Sequence, residues 1–350
     1  MNRPIRVLVV DDSAFMRYSL TRFLEADPAV TVVGAARDGF DALEKLLSLR
    51  PDVVTLDVEM PRLDGLATLQ HIMDEHPRPV IMFSSLTQQG ARTTIQALMR
   101  GAVDFVPKPS GGGEIRAVMA ELLAKIKIAA GACLAPGTPA LRREAPVRSR
   151  PATALSLGDA VVIIGASTGG PRALQAVLAA LPADLPAALA IVQHMAPGFT
   201  HSLAQRLNEV GPFVVKEAAP GDRLERGVAL IAPGGLHMRF GEGHRVELDD
   251  GPRCNHVRPA ADVTMRSAAE RYGARTIGVV LTGMGQDGTA GAQAVRQAGG
   301  RVIAEHPESC VVYGMPRSVV EAGLADAVVP VTEVAATLAS LVDSHGALRV

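Results

Sequence analysis

The sequence predicts an α/β protein made of two doubly wound domains, each built on a largely parallel sheet. Strand-like apolar runs alternate with helix-like segments through the first third of the chain, and the same alternation resumes near Asp159. The stretch between them is rich in Pro, Ala and Arg, which is typical of a linker. A length of 350 residues also suits two domains. We expect one domain at residues 1–129, a linker at 130–158 and a second domain at 159–350.

The first domain contains five strand–helix units. The run IRVLVV, which starts at Ile5, is continuously apolar, as in a strand that is buried on both faces. The next segment, FMRYSLTRFLEAD, has the spacing of an amphipathic helix. Four more units follow: VTVVGAA and DGFDALEKLLSL, DVVTLDV and GLATLQHIMDE, PVIMFSS and ARTTIQALMRG, VDFVPKP and EIRAVMAELLAKIKIAA. This pattern predicts a five-stranded parallel sheet with helices on both faces.

The second domain begins with a buried-type strand, AVVIIGAS, from Ala160. Further strand-like segments are AALAIVQH, GVALIAPG, TIGVVLTGMG and RVIAEH. Helix-like segments between them are PRALQAVLAAL, GFTHSLAQRLNEV, VTMRSAAERYG and GTAGAQAVRQAG. HMRFGEG and HRVELDDG look like an antiparallel hairpin. We therefore expect a Rossmann-like doubly wound sheet with a hairpin added.

The composition is that of a globular protein and disfavours several classes of partner. Hydrophobic residues make up 48% and charged residues 20%, which is enough for a packed core. The net charge of -1 gives no support to binding of nucleic acid or an anionic membrane. No apolar run has the length of a membrane span, and residues 1–6 do not open a signal peptide. Cys133, Cys254 and Cys310 lack metal-ligand spacing and cannot all pair, so we expect a cytoplasmic protein. Separately, we expect a monomer.

Polar side chains follow four of the predicted strands of the first domain. Asp11 and Asp12 follow the first strand, Asp57 the third, Ser84 the fourth and Lys108 the fifth. The carboxyl ends of parallel strands meet at one edge, so these groups converge there. Three carboxylates repel one another unless a cation joins them, and their oxygen atoms suit Mg²⁺. The same set suits phosphoryl transfer to a carboxylate, because the ion neutralises the incoming oxygens and the lysine pairs with the product.

The segments VLVVDDSAFMR, VVTLDVEMPRLDG, IMFSS and DFVPKP resemble the receiver domain of bacterial response regulators, a flavodoxin-like fold, over roughly Ile5 to Ala129. The resemblance implies that Asp57 accepts phosphate from a histidine kinase of the chemotaxis type. It implies Mg²⁺ bound by the following groups: Asp12, Asp57 and the carbonyl of Glu59, with Asp11 assisting. Lys108 is then the partner of the phosphoryl group. Ser84 matches the switch hydroxyl of the family, and Phe105 matches its switch aromatic residue.

The stretch VVIIGASTGGPRAL, from Val161, joins a strand to a helix through a glycine-rich turn with Ser167 at its apex. A phosphate cradle of the dinucleotide type needs G-x-G-x-x-G, and here Ser167 replaces the middle glycine between Gly165 and Gly170. That site also needs an acid at the end of the next strand, which ends instead in Gln193 and His194. A nicotinamide site is therefore poorly supported.

The alternative is a turn that presents a nucleophile. GASTG fits G-x-S-x-G, and the strand–turn–helix context is the one that this pattern needs. Ser167 needs a base, and the end of the next strand supplies His194. A later strand end, LTGMGQDG, supplies Asp287, which can hold the imidazole tautomer. The order Ser, His, Asp differs from that of the α/β-hydrolases, so the triad lies on a different topology.

The segments IGASTGGP, IVQHMAPGFT, LIAPGGLHM and LTGMGQDG closely resemble the catalytic domain of the CheB family of chemotaxis protein-glutamate methylesterases, from about Ala160 to the C-terminus. The resemblance implies hydrolysis of γ-glutamyl methyl esters on methyl-accepting chemoreceptors with release of methanol. Deamidation of certain receptor glutamines is implied as well, and no cofactor in this domain. The implied roles are nucleophile for Ser167, general base for His194 and orienting partner for Asp287. The N–H of Met284 matches an oxyanion donor, and Thr168 lies beside the nucleophile.

Two further histidines, His237 and His256, lie near glycine or proline turns and could line the substrate cleft; surface loops without a chemical role are the expectation that we prefer. The arginines of LRREAP and RSRP fit a solvated tether.

A receiver joined to a hydrolase suggests gating, in which phosphate on Asp57 uncovers the catalytic edge. A non-catalytic, phospho-dependent adapter that binds receptor or kinase is the alternative function. A nucleic-acid output has no supporting motif.

Overall fold

A computed structural model describes residues 3–109, 115–133 and 153–347 of the chain. By its internal contacts the chain divides into two units, Met1–Leu134 and Ala135–Val350. The predicted linker falls mostly outside the described residues, at positions 134–152. Thr153–Ala154 (β6) near its end form a short antiparallel strand with Glu225–Arg226 (β10).

The first unit has the expected five-stranded parallel sheet. Its strands are Ile5–Val10 (β1), Val30–Ala36 (β2), Val53–Asp57 (β3), Val80–Ser84 (β4) and Asp104–Pro107 (β5). Its helices are Ala14–Leu24 (α1), Gly39–Leu49 (α2), Gly65–Glu75 (α3), Gln88–Met99 (α4) and Ile115–Ala129 (α5). The strand order β2-β1-β3-β4-β5 is that of the flavodoxin-like fold. The carboxyl ends of β1 and β3, which lie side by side, bring their acidic residues to the same edge.

Four of these helices begin with the same feature, a side-chain N-cap. The residue before each of α1 to α4 has extended backbone, and its side-chain oxygen accepts a backbone N–H from the first turn. These residues are Ser13, Asp38, Asp64 and Thr87. Such N-caps satisfy helix N–H groups that otherwise have no partner. The helices therefore begin directly after the strand-end turns that carry the acidic cluster.

The second unit has a seven-stranded parallel sheet in the order β16-β15-β14-β7-β8-β11-β9. Its strands are Ala160–Ala166 (β7), Ala187–Gln193 (β8), Val214–Glu217 (β9), Val228–Ile231 (β11), Thr276–Val280 (β14), Arg301–Glu305 (β15) and Ala327–Val329 (β16). His237–Phe240 (β12) and Val246–Asp249 (β13) form the expected antiparallel hairpin. The central strands β7 and β8 are buried along their whole length. The chain moves outward from β7 to one side, then returns to β14 on the other, so the order reverses beside β7.

The helices of the second unit are Gly170–Ala180 (α6), Phe199–Leu207 (α7), Ala261–Tyr272 (α8), Thr289–Gln297 (α9), Met315–Glu321 (α10) and Val331–Ala347 (α11). Glycines with positive φ precede three of them, at Gly169, Gly198 and Gly288. A left-handed conformation there lets the chain reverse sharply from strand to helix. The strand β9, and the elements after His306, lie outside the segments assigned from the sequence. None of the described helices is long and apolar enough to cross a membrane.

Candidate active site and phosphorylation site

Ser167 is the first residue after β7 and lies in a tight turn. Its N–H donates to the carbonyl of Thr282 at 3.0 Å, and its carbonyl accepts the N–H of Gly170 at 2.8 Å. Gly169, at φ 80°, supplies the left-handed step that enters α6. A β-carbon on Gly169 would also lie 2.7 Å from Val311. The turn is therefore held from two sides, and the Ser167 side chain is partly exposed at the edge of the sheet.

His194 occupies the matching position on the neighbouring strand. Ala166 pairs with Gln193 in the parallel register of β7 and β8, and the N–H of His194 donates to the carbonyl of Ala166 at 3.0 Å. Neighbouring strands lie about 4.8 Å apart. Ser167 and His194 are thus adjacent at the carboxyl edge of the sheet, as the sequence predicts.

Asp287 lies in the loop that follows β14, on the other side of β7. Its carboxylate is 2% exposed, and Oδ2 lies 2.6 Å from Nε2 of His194. The same oxygen accepts the N–H of Ala261 at 2.6 Å, and Oδ1 accepts the N–H of Asp262 at 3.0 Å. The carboxylate therefore bridges the imidazole and the amino end of α8.

This arrangement fixes the tautomer of the imidazole. Burial raises the pKa of Asp287, but the hydrogen bond and charge of His194, with the N–H groups of Asp262 and Ala261, outweigh it and hold the pKa below its usual value. An ionised Asp287 can only accept, so Nε2 of His194 carries a proton. In the neutral ring the lone pair then lies on Nδ1, so Nδ1 is the ring atom that can accept a proton.

Within the described part of the chain, Ser167 Oγ makes no hydrogen bond to the His194 ring. Serine hydroxyls rotate about Cα–Cβ, and catalytic hydrogen bonds are often long before substrate binds. The backbones of the two residues are fixed by the strand pairing, so rotation of the side chains is what can change the distance between the hydroxyl and Nδ1.

Met284 and Thr168 flank the Ser167 turn. Met284 lies between Gly283 and Gly285, its side chain is 52% exposed, and its N–H has no protein acceptor among the residues that the structure describes. The carbonyl of Thr168 accepts the hydroxyl of Thr282 at 3.0 Å, which fixes the peptide between Thr168 and Gly169. A free N–H beside the nucleophile is the feature that an oxyanion donor requires.

Two buried acids support this edge, and the sequence analysis did not single them out. Asp262 accepts the N–H groups of Gly288 and Gly291 through Oδ1, at 2.9 and 2.7 Å. Glu305, at the end of β15, accepts the N–H of Thr282 at 2.7 Å and is fully buried. Burial raises the pKa of both carboxyl groups. The position of Glu305 at a strand end can be seen in the sequence. Only the tertiary structure shows that Glu305 binds the N–H of Thr282, whose carbonyl in turn accepts the N–H of Ser167.

The expectation of a surface loop is wrong for His237. His237 begins β12, is 1% exposed, and its Nε2 lies 3.0 Å from the carbonyl of Pro252. Although His237 follows a glycine turn, it is the first residue of the hairpin strand, and its side chain packs inward. His256, in contrast, is exposed in a tight turn at φ 65°, as expected.

In the first unit, the predicted groups converge at the edge of the sheet. Lys108 Nζ lies 2.6 Å from Asp57 Oδ2 and 3.0 Å from Asp11 Oδ2. Carboxylate oxygens of Asp11, Asp12 and Asp57 all lie within 4.8 Å of one another. Burial and the charge of Asp11 raise the pKa of Asp57 to about 6, against the lowering effect of Lys108. Three acids facing one lysine leave an excess of negative charge, and hard oxygen donors of this kind fit Mg²⁺.

The remaining predicted residues of this unit lie around that cluster. The N–H of Glu59 donates to Asp57 Oδ1 at 3.3 Å, so its peptide adjoins the acids. The Ser84 hydroxyl is buried and donates to the carbonyl of Gly90 in α4, at 3.3 Å. Phe105 is 3% exposed, with Lys125 Nζ 5.3 Å from the centre of its ring.

A hydroxyl, an imidazole and a buried carboxylate at one sheet edge are the groups of a serine hydrolase, and here they share a chain with an acidic cluster that fits Mg²⁺. The family profile of the CheB methylesterase matches residues 162–338, and that of the response regulator receiver domain matches residues 7–120. The chain belongs to the CheB methylesterase family, with a receiver domain.

Relatives support this assignment over the whole chain. A protein-glutamate methylesterase/protein-glutamine glutaminase of Symbiobacterium thermophilum is 53% identical, over 96% of this chain and 96% of that protein. One of Thermotoga maritima is 47% identical, over 97% of this chain and 99% of that protein. The crystal structure of the Thermotoga maritima CheB methylesterase catalytic domain is 48% identical, with a TM-score of 0.51, and covers 52% of this chain and 98% of that domain.

Proposed function

We propose that this protein is a protein-glutamate methylesterase and protein-glutamine glutaminase that acts on methyl-accepting chemotaxis receptors in chemosensory adaptation. We propose further that a chemotaxis-type histidine kinase controls it by phosphorylating Asp57. The observation that carries the catalytic part is the 2.6 Å contact between His194 Nε2 and Asp287 Oδ2, directly beside Ser167. The acidic cluster with Lys108 carries the regulatory part.

The first chemical step forms an acyl-enzyme. Ser167 Oγ attacks the γ-carbonyl carbon of the methylated glutamate while Nδ1 of His194 takes the hydroxyl proton. The new positive charge on the ring faces Asp287, whose buried carboxylate is already ionised. The carbonyl oxygen becomes an oxyanion, and the N–H of Met284 donates to it. Nδ1 then returns the proton to the methoxy group, which leaves as methanol.

The second step restores the enzyme. Water attacks the acyl carbon, and Nδ1 of His194 takes its proton, which later returns to Ser167 Oγ. The products are a glutamate carboxylate and free serine. With a glutamine substrate the same attack releases ammonia instead of methanol, so one site serves both reactions.

In the receiver domain, a carboxylate oxygen of Asp57 attacks the phosphorus of the kinase phosphohistidine, and an acyl phosphate forms as the P–N bond breaks and the imidazole leaves. Asp11, Asp12, Asp57 and the carbonyl of Glu59 would hold Mg²⁺, which supplies positive charge to the transferred phosphoryl oxygens when bound. Lys108 already contacts Asp57 and would pair with the phosphoryl group. The buried Ser84 hydroxyl can leave the carbonyl of Gly90 for a phosphoryl oxygen, and Phe105 would adjust with it.

Methanol release from methylated chemoreceptor membranes tests both halves of this proposal. The full chain, Ser167→Ala and Asp57→Ala are compared, each with and without a small phosphodonor and Mg²⁺. We expect Ser167→Ala to lose release under all conditions, and Asp57→Ala to keep the basal rate without stimulation. Ser344→Ala, an exposed serine of α11, is the matched control and retains the wild-type rate.

Two outcomes contradict the proposal separately. Methanol release that persists in Ser167→Ala excludes this serine as nucleophile. No release from the wild type under any condition leaves the phospho-dependent adapter as the better function, and binding of the membranes with and without phosphodonor then measures it.

A further inference from the structure

Gln193 connects the two turns that carry the nucleophile and the base. It is the last residue of β8, directly before His194, and its side chain is 2% exposed. Its Nε2 donates to the carbonyl of Ser167 at 2.9 Å and to the carbonyl of His194 at 3.2 Å. One side-chain amide therefore ties the turn after its own strand to the turn of Ser167, which lies 26 residues before Gln193 in sequence.

The orientation of this amide follows from its surroundings. Two carbonyl oxygens face the same terminal atom, and only the nitrogen of an amide can donate to both. Oε1 then has no hydrogen-bond partner among the described residues, although it is buried. A buried acceptor without a donor costs free energy. An apolar side chain of the same length would avoid this cost, but it would take away the donor to the carbonyl of His194 and the link between the two turns.

Gly170 leaves the space that the amide occupies. A β-carbon at position 170 would overlap Gln193 Oε1 and lie 2.9 Å from Gln193 Cδ. The G-x-S-x-G pattern around Ser167 uses Gly165 and Gly169, and it does not explain the glycine that follows them. The amide of Gln193 accounts for part of it, because a β-carbon there would also lie 2.9 Å from Ala166 Cβ.

We propose that Gln193 is a positioning residue that locks the Ser167 turn to the His194 turn and so holds the hydroxyl and the imidazole in register for proton transfer. This inference rests on the proposed catalytic roles of Ser167 and His194. Gln193 does not touch the substrate. Its effect is expected on the chemical step, where small displacements of the reacting groups are costly, and not on substrate binding.

The test is the steady-state kinetics of full-length Gln193→Met on methylated chemoreceptor membranes. Methionine has a similar length and removes both hydrogen bonds together with the unpaired Oε1. The carbonyl of Ser167 keeps the N–H of Gly170, and the carbonyl of His194 loses the donor that Gln193 supplies. We expect kcat to fall about tenfold to a hundredfold while KM changes by less than about twofold. Gln175→Met makes the same change on the partly exposed surface of α6 and is expected to keep the wild-type kcat and KM.

Unchanged kcat in Gln193→Met overturns the proposal, and so does a loss that matches the unfolded fraction measured by circular dichroism. Should the methionine variant not fold, Gln193→Glu takes its place, because a carboxyl group can donate at most one hydrogen bond; wild-type kcat in that variant is equally contrary. Ser167→Ala, run in parallel, separates the two proposals. If it stays active, the proposed triad is wrong; if it is inactive while Gln193→Met is normal, only the role of Gln193 is wrong.

Discussion

Asp287 and Asp262 cap each other's helices. Asp287, just before α9, accepts N–H groups of Ala261 and Asp262 at the start of α8, and Asp262 accepts N–H groups of Gly288 and Gly291 at the start of α9. Two buried carboxylates thus face two positive helix ends. Only Asp287 also contacts the imidazole, and its pKa is lowered while that of Asp262 is raised.

This difference predicts the effect of neutralising each acid. Asp287→Asn keeps an oxygen for one of the two helix N–H groups but no longer stabilises the charged imidazole, so we expect kcat to fall about 10³- to 10⁴-fold, beyond any loss of folded protein. Asp262→Asn is the matched control and should stay within about threefold of wild type. Methanol release and circular dichroism measure the two effects. Equal losses in both variants would show that the loss is structural.

Glu305 predicts a pH dependence of stability. Burial raises its pKa in the folded protein, and the hydrogen bonds from Thr282 and Ser309 only partly offset this. The folded state therefore holds the proton at pH values where the unfolded chain has released it, so this group lowers the free energy of unfolding as pH rises from the ordinary glutamate pKa to the raised one.

Glu305→Gln removes that loss, because its amide carries no charge at any pH. Its oxygen can accept the N–H of Thr282, and its NH₂ group can donate to Ser309. We expect the difference in unfolding free energy between variant and wild type to shift in favour of the variant as pH rises. Urea unfolding of both proteins at a series of pH values measures it. A difference that is independent of pH would contradict the prediction.

Gly170 and Gln193 should behave as a coupled pair. Gly170→Ala forces its β-carbon against Gln193 Oε1, and we expect a loss of about 1–3 kcal/mol in unfolding free energy. In a Gln193→Ala background that overlap is gone, although Ala166 Cβ still lies 2.9 Å away. The double variant should therefore lose at least about 0.5 kcal/mol less than the sum of the single variants. Strict additivity in urea unfolding would exclude direct packing between the two side chains.

The receiver domain should need Mg²⁺ for its phosphorylation. Chelation by EDTA is expected to abolish phosphoryl incorporation at Asp57 from a small phosphodonor. Asp12→Asn removes an exposed carboxylate of the cluster and should raise the Mg²⁺ concentration for half-maximal incorporation at least about tenfold. Asp74→Asn, at an exposed acid of α3, is the control. Equal Mg²⁺ requirements in the three proteins would remove Asp12 from the metal site.

The sequence predicts which polar groups lie at the strand ends, but it does not predict the hydrogen bonds that fix their positions. Ser167, His194 and Asp287 could be placed because parallel strands end at one edge, whatever their order. The contacts of Gln193, Asp262 and Glu305 depend on which strands are neighbours and on side-chain rotation, and no spacing in the sequence encodes either. Short elements such as Val214–Glu217 were missed because four residues carry little periodicity.

The pairing of Ala166 with Gln193 places the nucleophile and the base one step beyond the same rung of the sheet. Their separation is thus set by the spacing of two buried strands and not by the length of any loop. Insertions or exchanges in the hairpin and in the loops around the edge can alter which protein surface is accepted without moving the reacting pair. Related proteins with different loops at this edge can therefore differ in substrate while they keep the same catalytic groups.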